Sequence, residues 1–229
     1  MPTIVDDWEL ALDIDQVLRG QGAKPDIIRK RSPNLVEVAE RAIAEGSSLI
    51  KPRLIYRRMA LESVMHERLL LRGGGKLQSS LLAQHLSPAE EIVFVVCTIG
   101  ADIDSWTSEA FKTDPLFAVS LDGLGNAAVE DLAKQACRHF EKAAREKRME
   151  VSIPLSPGMQ GWPVDDGQDQ IFGLLPAQKI GVKLNRSRMM SPSKSLSMAI
   201  GIGKHLAGGG RQCDFCMLNK TCRYKDLYV

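Results

Sequence analysis

The chain has 229 residues, 44% of them hydrophobic and 25% charged, with a formal net charge of +2. This composition supports one large or two small folded domains, and the small net charge gives no argument for nucleic acid or an anionic membrane as partner. No apolar run approaches the ~18 residues needed to cross a bilayer.

The start, Met1-Pro2-Thr3-Ile4-Val5-Asp6-Asp7-Trp8-Glu9, is acidic where a secretory leader would be basic, so a cytoplasmic location is expected. Residues 1–34 carry the breakers Gly20, Gly22, Pro25 and Pro33 and read as an irregular arm. Apolar positions 35, 38, 39, 42 and 43 recur at helical spacing and predict a helix that Gly46 ends. Lys51–Arg58 reads as a strand or extended connection. Gly73-Gly74-Gly75 is a turn, and it makes a poor phosphate loop because no Gly-Lys-Ser/Thr follows. Glu91–Cys97 is continuous, apolar and β-branched, the pattern of a strand buried on both faces.

A long helix is predicted from an N-cap at Asn126 to about Lys147, with an apolar stripe through 129, 132, 133, 136, 137, 140, 143 and 144. The segment Pro154–Pro163 is too rich in proline and glycine for a helix or a central strand. A short helix over Gln168–Leu175 and a strand over Lys179–Leu184 follow. Ser195–Ile202, where Leu196, Met198, Ile200 and Ile202 alternate with small residues, reads as a half-buried strand. Three segments result: the arm 1–34, an α+β domain 35–207, and a cysteine tail 208–229.

Five cysteines are an odd number, and three of them, Cys213, Cys216 and Cys222, crowd the C-terminus. Disulfide frameworks spread pairs through a secreted chain, whereas this spacing lets thiolates converge on one centre. Thiolates are soft ligands that favour zinc or iron–sulfur clusters over magnesium or calcium. A closed zinc site or a [4Fe–4S] cluster takes four protein ligands. The fourth is left open among His205, Cys97, Cys137, a residue of another copy in a homo-oligomer, and an exogenous ligand. Cys137, on a helix stripe, and Cys97, at the end of a buried strand, fit core thiols better.

Several pieces, in order, resemble the activation domain of cobalamin-dependent methionine synthase, and more closely its stand-alone relatives associated with corrinoid methyltransferases. They are Thr98-Ile99-Gly100, Ser120–Glu130, Ser156-Pro157-Gly158 with Gly161-Trp162-Pro163, Ile171–Leu175, Ile180–Asn185 and Met190–Ser195. Together they span roughly half the chain. The resemblance implies a single α+β domain with a twisted, mainly antiparallel sheet flanked by helices. It also implies an S-adenosylmethionine pocket and a corrinoid protein or corrinoid methyltransferase as partner.

Its pocket residues carry over as Gly158, Gly161, Trp162, Pro163, Asp122, Asn126, Lys194 and Ser195. Trp162 would supply an apolar wall and an indole N–H, although a structural turn with a packed tryptophan is the rival reading of that loop. Asp122 and Asn126 are read first as helix caps, and Lys194 competes with a plain solvated lysine. Asp165 and Asp166 suit a helix N-terminus. Pro157 stands where the family has an arginine, Trp162 where it has a tyrosine, and Asn126 where it has a glutamate. The first and last changes remove two charge-assisted contacts worth about 1.5–3 kcal/mol each.

The expected function is therefore an accessory protein that reactivates a corrinoid enzyme by delivering electrons through a cysteine-ligated iron–sulfur centre. The alternative is a non-catalytic module with structural zinc that docks on a corrinoid protein. A stand-alone methyltransferase is argued against by Pro157 and Asn126.

Overall fold

The structure, a computed structural model, describes residues 1–206, 212–215 and 220. Its centre is β5 (Glu91–Thr98), whose apolar run is buried from Ile92 to Thr98. β5 pairs antiparallel with β2 (Arg53–Met65) on one side and β9 (Ser195–Gly203) on the other, with Phe94 opposite Arg57 and Ala199. Beyond a register shift between Leu61 and Ser63, β2 continues into a hairpin with β3 (Arg68–Leu71), which pairs with β4 (Lys76–Gln78). β1 (Thr3–Val5) pairs with the start of β2. β6 (Glu150–Val151) closes the far edge, giving a seven-stranded antiparallel sheet in the order β4-β3-β2-β5-β9-β6 with β1 beside β2.

Helices cover both faces. One face carries α1 (Ile14–Gly20), α3 (Pro33–Gly46) and the long α6 (Pro115–Arg145), which bury Val17, Leu18, Ala39, Leu124, Leu132 and Phe140 against Val93, Val95, Met198 and Ile200. α2 (Pro25–Arg31) and α5 (Asp102–Ala110) flank this layer. The other face carries α4 (Ser80–Leu86) and α7 (Val164–Leu174), with Leu82, Leu86, Trp162 and Ile171 over Phe94, Val96 and Ala199. The expected α+β architecture, with helices on both sides of a mainly antiparallel sheet, is present. No helix among the described residues is long and apolar enough to cross a membrane.

Four local expectations are corrected. Residues 1–34 are not irregular: they hold β1, α1 and α2, and Asp13 caps α1 through a reciprocal pair with Gln16, each side chain bonding the other's backbone N–H. The long helix does not begin at Asn126 but at Pro115, where Asp114 Oδ1 accepts from the Phe117 N–H. Gly123 and Gly125 lower intrinsic helix propensity there, and tertiary packing overrides that cost.

The third correction concerns β9, which is buried on both faces. Its alternation does not mark a solvent side. Leu196, Met198, Ile200 and Ile202 face α6, while the small residues let α4 close in: a Cβ at Gly201 would lie 2.8 Å from Leu86 Cδ2. Last, Lys179–Leu184 is not one strand. Ala177–Ile180 forms a 3-10 turn, and Lys183–Leu184 (β7) pairs with Met190–Ser191 (β8) in a small hairpin.

Candidate functional site

The residues singled out for the pocket fall in two groups on opposite faces of the sheet: Asp122, Asn126, Lys194 and Ser195 gather at the N-terminal end of β9, and Gly158–Pro163 lies against the start of α4. On the α6 face, Asp122 and Asn126 sit one turn apart inside the helix, so neither caps it. Both point at Lys194, whose Nζ donates to Asp122 Oδ1 at 2.6 Å and to Asn126 Oδ1 at 2.8 Å. Asn126 Nδ2 in turn donates to Asp122 Oδ2 at 3.1 Å and to the Gly20 carbonyl at 3.0 Å. The bond to Gly20 fixes which way the amide faces.

Lys194 is only 8% exposed, whereas the Asp122 side chain is 46% exposed. Lysine reaches such burial only when paired, so the simple solvated lysine is ruled out. Next to it, Ser195 Oγ lies 2.9 Å from Thr98 Oγ1 and 2.8 Å from the Pro192 carbonyl. Thr98 Oγ1 also accepts from the Gly100 N–H. The turn before Lys194 is tied to α5 through Asp104, which accepts from both the Ser193 N–H and Oγ at 2.7 Å.

On the other face, the loop leading into α7 is a tight turn. Gly158 and Gly161 adopt φ of +97° and +89°, a region open to glycine at little cost. The Gly158 N–H donates to the Trp162 carbonyl, and Ser79 Oγ donates to the Gly161 carbonyl. Pro163 ends the turn as the residue before α7. The Trp162 ring forms no open wall. It is fully buried in the core over α4 and α7, and its Nε1 has no hydrogen-bond partner among the described residues.

On the side away from β5, β9 has no strand neighbour among the described residues over Leu196–Met198. β6 pairs only with Ile202 and Gly203, and Leu155 bridges Ala199. Because Ala199 turns its N–H and C=O outward to Leu155, Ser195 and Ser197 turn theirs to the same side. Ser197 Oγ donates to the buried Gln168 Oε1 of α7. Sequence reasoning missed Gln168 and Asp104, since isolated polar residues carry no spacing signal, and it named Thr98 only within a resembling segment.

Of the thiol cluster, Cys213 lies half-buried in a 3-10 turn over Gln212–Phe215, while Cys216 and Cys222 lie outside the described residues. No group of three or more His, Cys, Asp and Glu suited to a metal occurs among the described residues. His205 is exposed at the end of β9.

Cys97 and Cys137 are unsuited as the fourth ligand. Both are packed between α6 and the sheet, and burial pushes their thiols up to about 12 and about 11 respectively. Neither is expected to react with iodoacetamide at pH 8 in the folded protein, and both should be labelled after denaturation. Peptide mass spectrometry reads this directly, and labelling of either in the native state would contradict the burial.

Comparison of the sequence with protein-family profiles finds no match, and none is found among curated proteins. Among solved structures, the crystal structure of the MetH reactivation domain bound to AdoHcy superposes with a TM-score of 0.64 at 14% identity, over 92% of this chain and 80% of that one. The fold is thus similar to that reactivation domain across nearly the whole chain.

Proposed function

We propose that this chain reactivates a corrinoid-dependent methyltransferase. In this reading it holds S-adenosylmethionine, or the AdoHcy left after methyl transfer, along the open edge of β9. Asp122, Asn126, Lys194 and Ser195 lie on one side of the ligand, and the Gly158–Pro163 loop lies on the other. The observation that carries the reading is the fold likeness to a reactivation domain over 92% of the chain. The cluster of Asp122 and Asn126 around Lys194 at the start of β9 supports it. The partner would be a corrinoid protein, docking where the ligand's methyl group is presented.

Cys213, Cys216 and Cys222 would hold an iron–sulfur cluster, a fit that rests on the softness of three clustered thiolates. When bound, such a cluster supplies single electrons, and cobalt(II) needs one to become the cobalt(I) that accepts a methyl cation. The reducing cytoplasm is the compartment in which these thiols stay available.

Anaerobic purification followed by iron, sulfide and zinc analysis tests the redox part. Stoichiometric iron and sulfide with absorption near 400 nm, lost in Cys213→Ser or Cys222→Ser, is the expected result. Zinc alone would replace electron delivery with a structural tail, and absence of all metal would remove the metal reading altogether.

A further inference from the structure

Lys194 is built into the site more elaborately than an ion pair requires. Its stem crosses α6 at Gly125, where a Cβ would lie 3.0 Å from Lys194 Cε and 3.1 Å from Cγ. The glycine therefore opens the groove that the lysine occupies. An ammonium has three N–H donors; two are used by Asp122 and Asn126, and the third has no partner among the described residues. Asn126 has no amide N–H left, since both are spent on Asp122 and Gly20. The nearby Lys51 is held by Asp102 at 2.6 Å. The loop across the β9 edge, Ser156–Pro163, contains no lysine or arginine.

We infer that Lys194 is the cation that receives the carboxylate of the adenosyl ligand and makes the site selective for ligands with an intact amino-acid end. The inference rests on the adenosyl reading above. Asp122 and Asn126 then act as positioning residues: they hold the ammonium at the start of β9, with its remaining N–H available to an anionic oxygen. A carboxylate arriving there completes the donor set of a nearly buried charge. A ligand lacking it leaves that N–H without an acceptor and, if it carries an ammonium, brings like charges together.

The test is calorimetric titration of the intact chain with S-adenosylmethionine and with decarboxylated S-adenosylmethionine, which keeps the sulfonium and the amine. The wild type is expected to prefer the carboxylate-bearing ligand by about ten- to hundredfold. Lys194→Met is expected to bring that ratio close to one. Thermal denaturation reports whether the variant folds, and a purely structural role for Lys194 would lower the Tm without moving the ratio. A wild-type ratio near one overturns the inference even if Lys194→Met does not fold. A folded Lys194→Met that keeps the wild-type ratio overturns it as well, and in both cases the adenosyl reading stands. A wild type that binds neither ligand overturns the adenosyl reading itself and the inference with it.

Discussion

Replacing Trp162 with alanine is expected to cost about 3–5 kcal/mol of stability, a fall in Tm of roughly 6–20 °C for a domain of this size. The ring is the largest fully buried side chain among the described residues and belongs to the core shared by α4, α7 and the sheet. Removing it leaves a cavity under a turn whose geometry is pinned by two glycines at positive φ, so collapse into the space is restricted. Trp162→Phe should cost clearly less. It keeps an aromatic ring in place and takes away a buried N–H that lacks a partner among the described residues, a group whose burial is itself unfavourable. Thermal denaturation of the two variants checks the order. A Trp162→Ala protein as stable as wild type would remove the ring from the core and return it to the open-wall reading.

Gly20→Ala is the second large effect. A Cβ there would overlap the Gly123 carbonyl oxygen, and a Cβ at Gly123 would meet Val17 O at 2.7 Å. At Gly20 the obstacle is backbone, so no side chain can move aside and α1 must lift from α6. The expected cost is about 3 kcal/mol, at the upper end for overpacking, with a Tm lower by roughly 6–12 °C. Gly173→Ala is the control: it sits within α7 with no other atom near its added methyl, so it should be neutral or stabilising by up to ~1 kcal/mol. Equal Tm changes in the two variants would disprove the close α1–α6 packing.

Much of this architecture was legible in the residues. Glu91–Cys97 announced a central strand because an unbroken β-branched run has no solvent face to accommodate, and Leu35–Glu45 announced a helix through its apolar spacing. What failed did so for identifiable reasons. The start of the long helix was misplaced at Asn126 because propensity is local, whereas Gly123 and Gly125 upstream of it fit close neighbours at Val17, Gln21 and Lys194, residues far away in sequence. The small residues of β9 looked solvent-facing because the pattern alone cannot distinguish water from a closely packed α4. Asp122 and Asn126 were read first as caps, since a one-turn spacing is shared by caps and by helix-face clusters. Lys194 is what decides between them.

The order of strands in the sheet has a consequence for how the chain is made. β5 is finished by a strand near the end of the described chain: Phe94 faces Ala199, and Cys97 faces Leu196. While a ribosome is still producing the residues between them, the nascent polypeptide holds an apolar strand with one side of its hydrogen-bonding row unfilled. Such an edge invites pairing with other chains until β9 emerges. α6 (Pro115–Arg145), synthesised in that interval, packs on the face of β5 that carries Val93 and Val95 and can shield it. Premature termination ahead of β9 would leave the product with that edge of β5 unpaired.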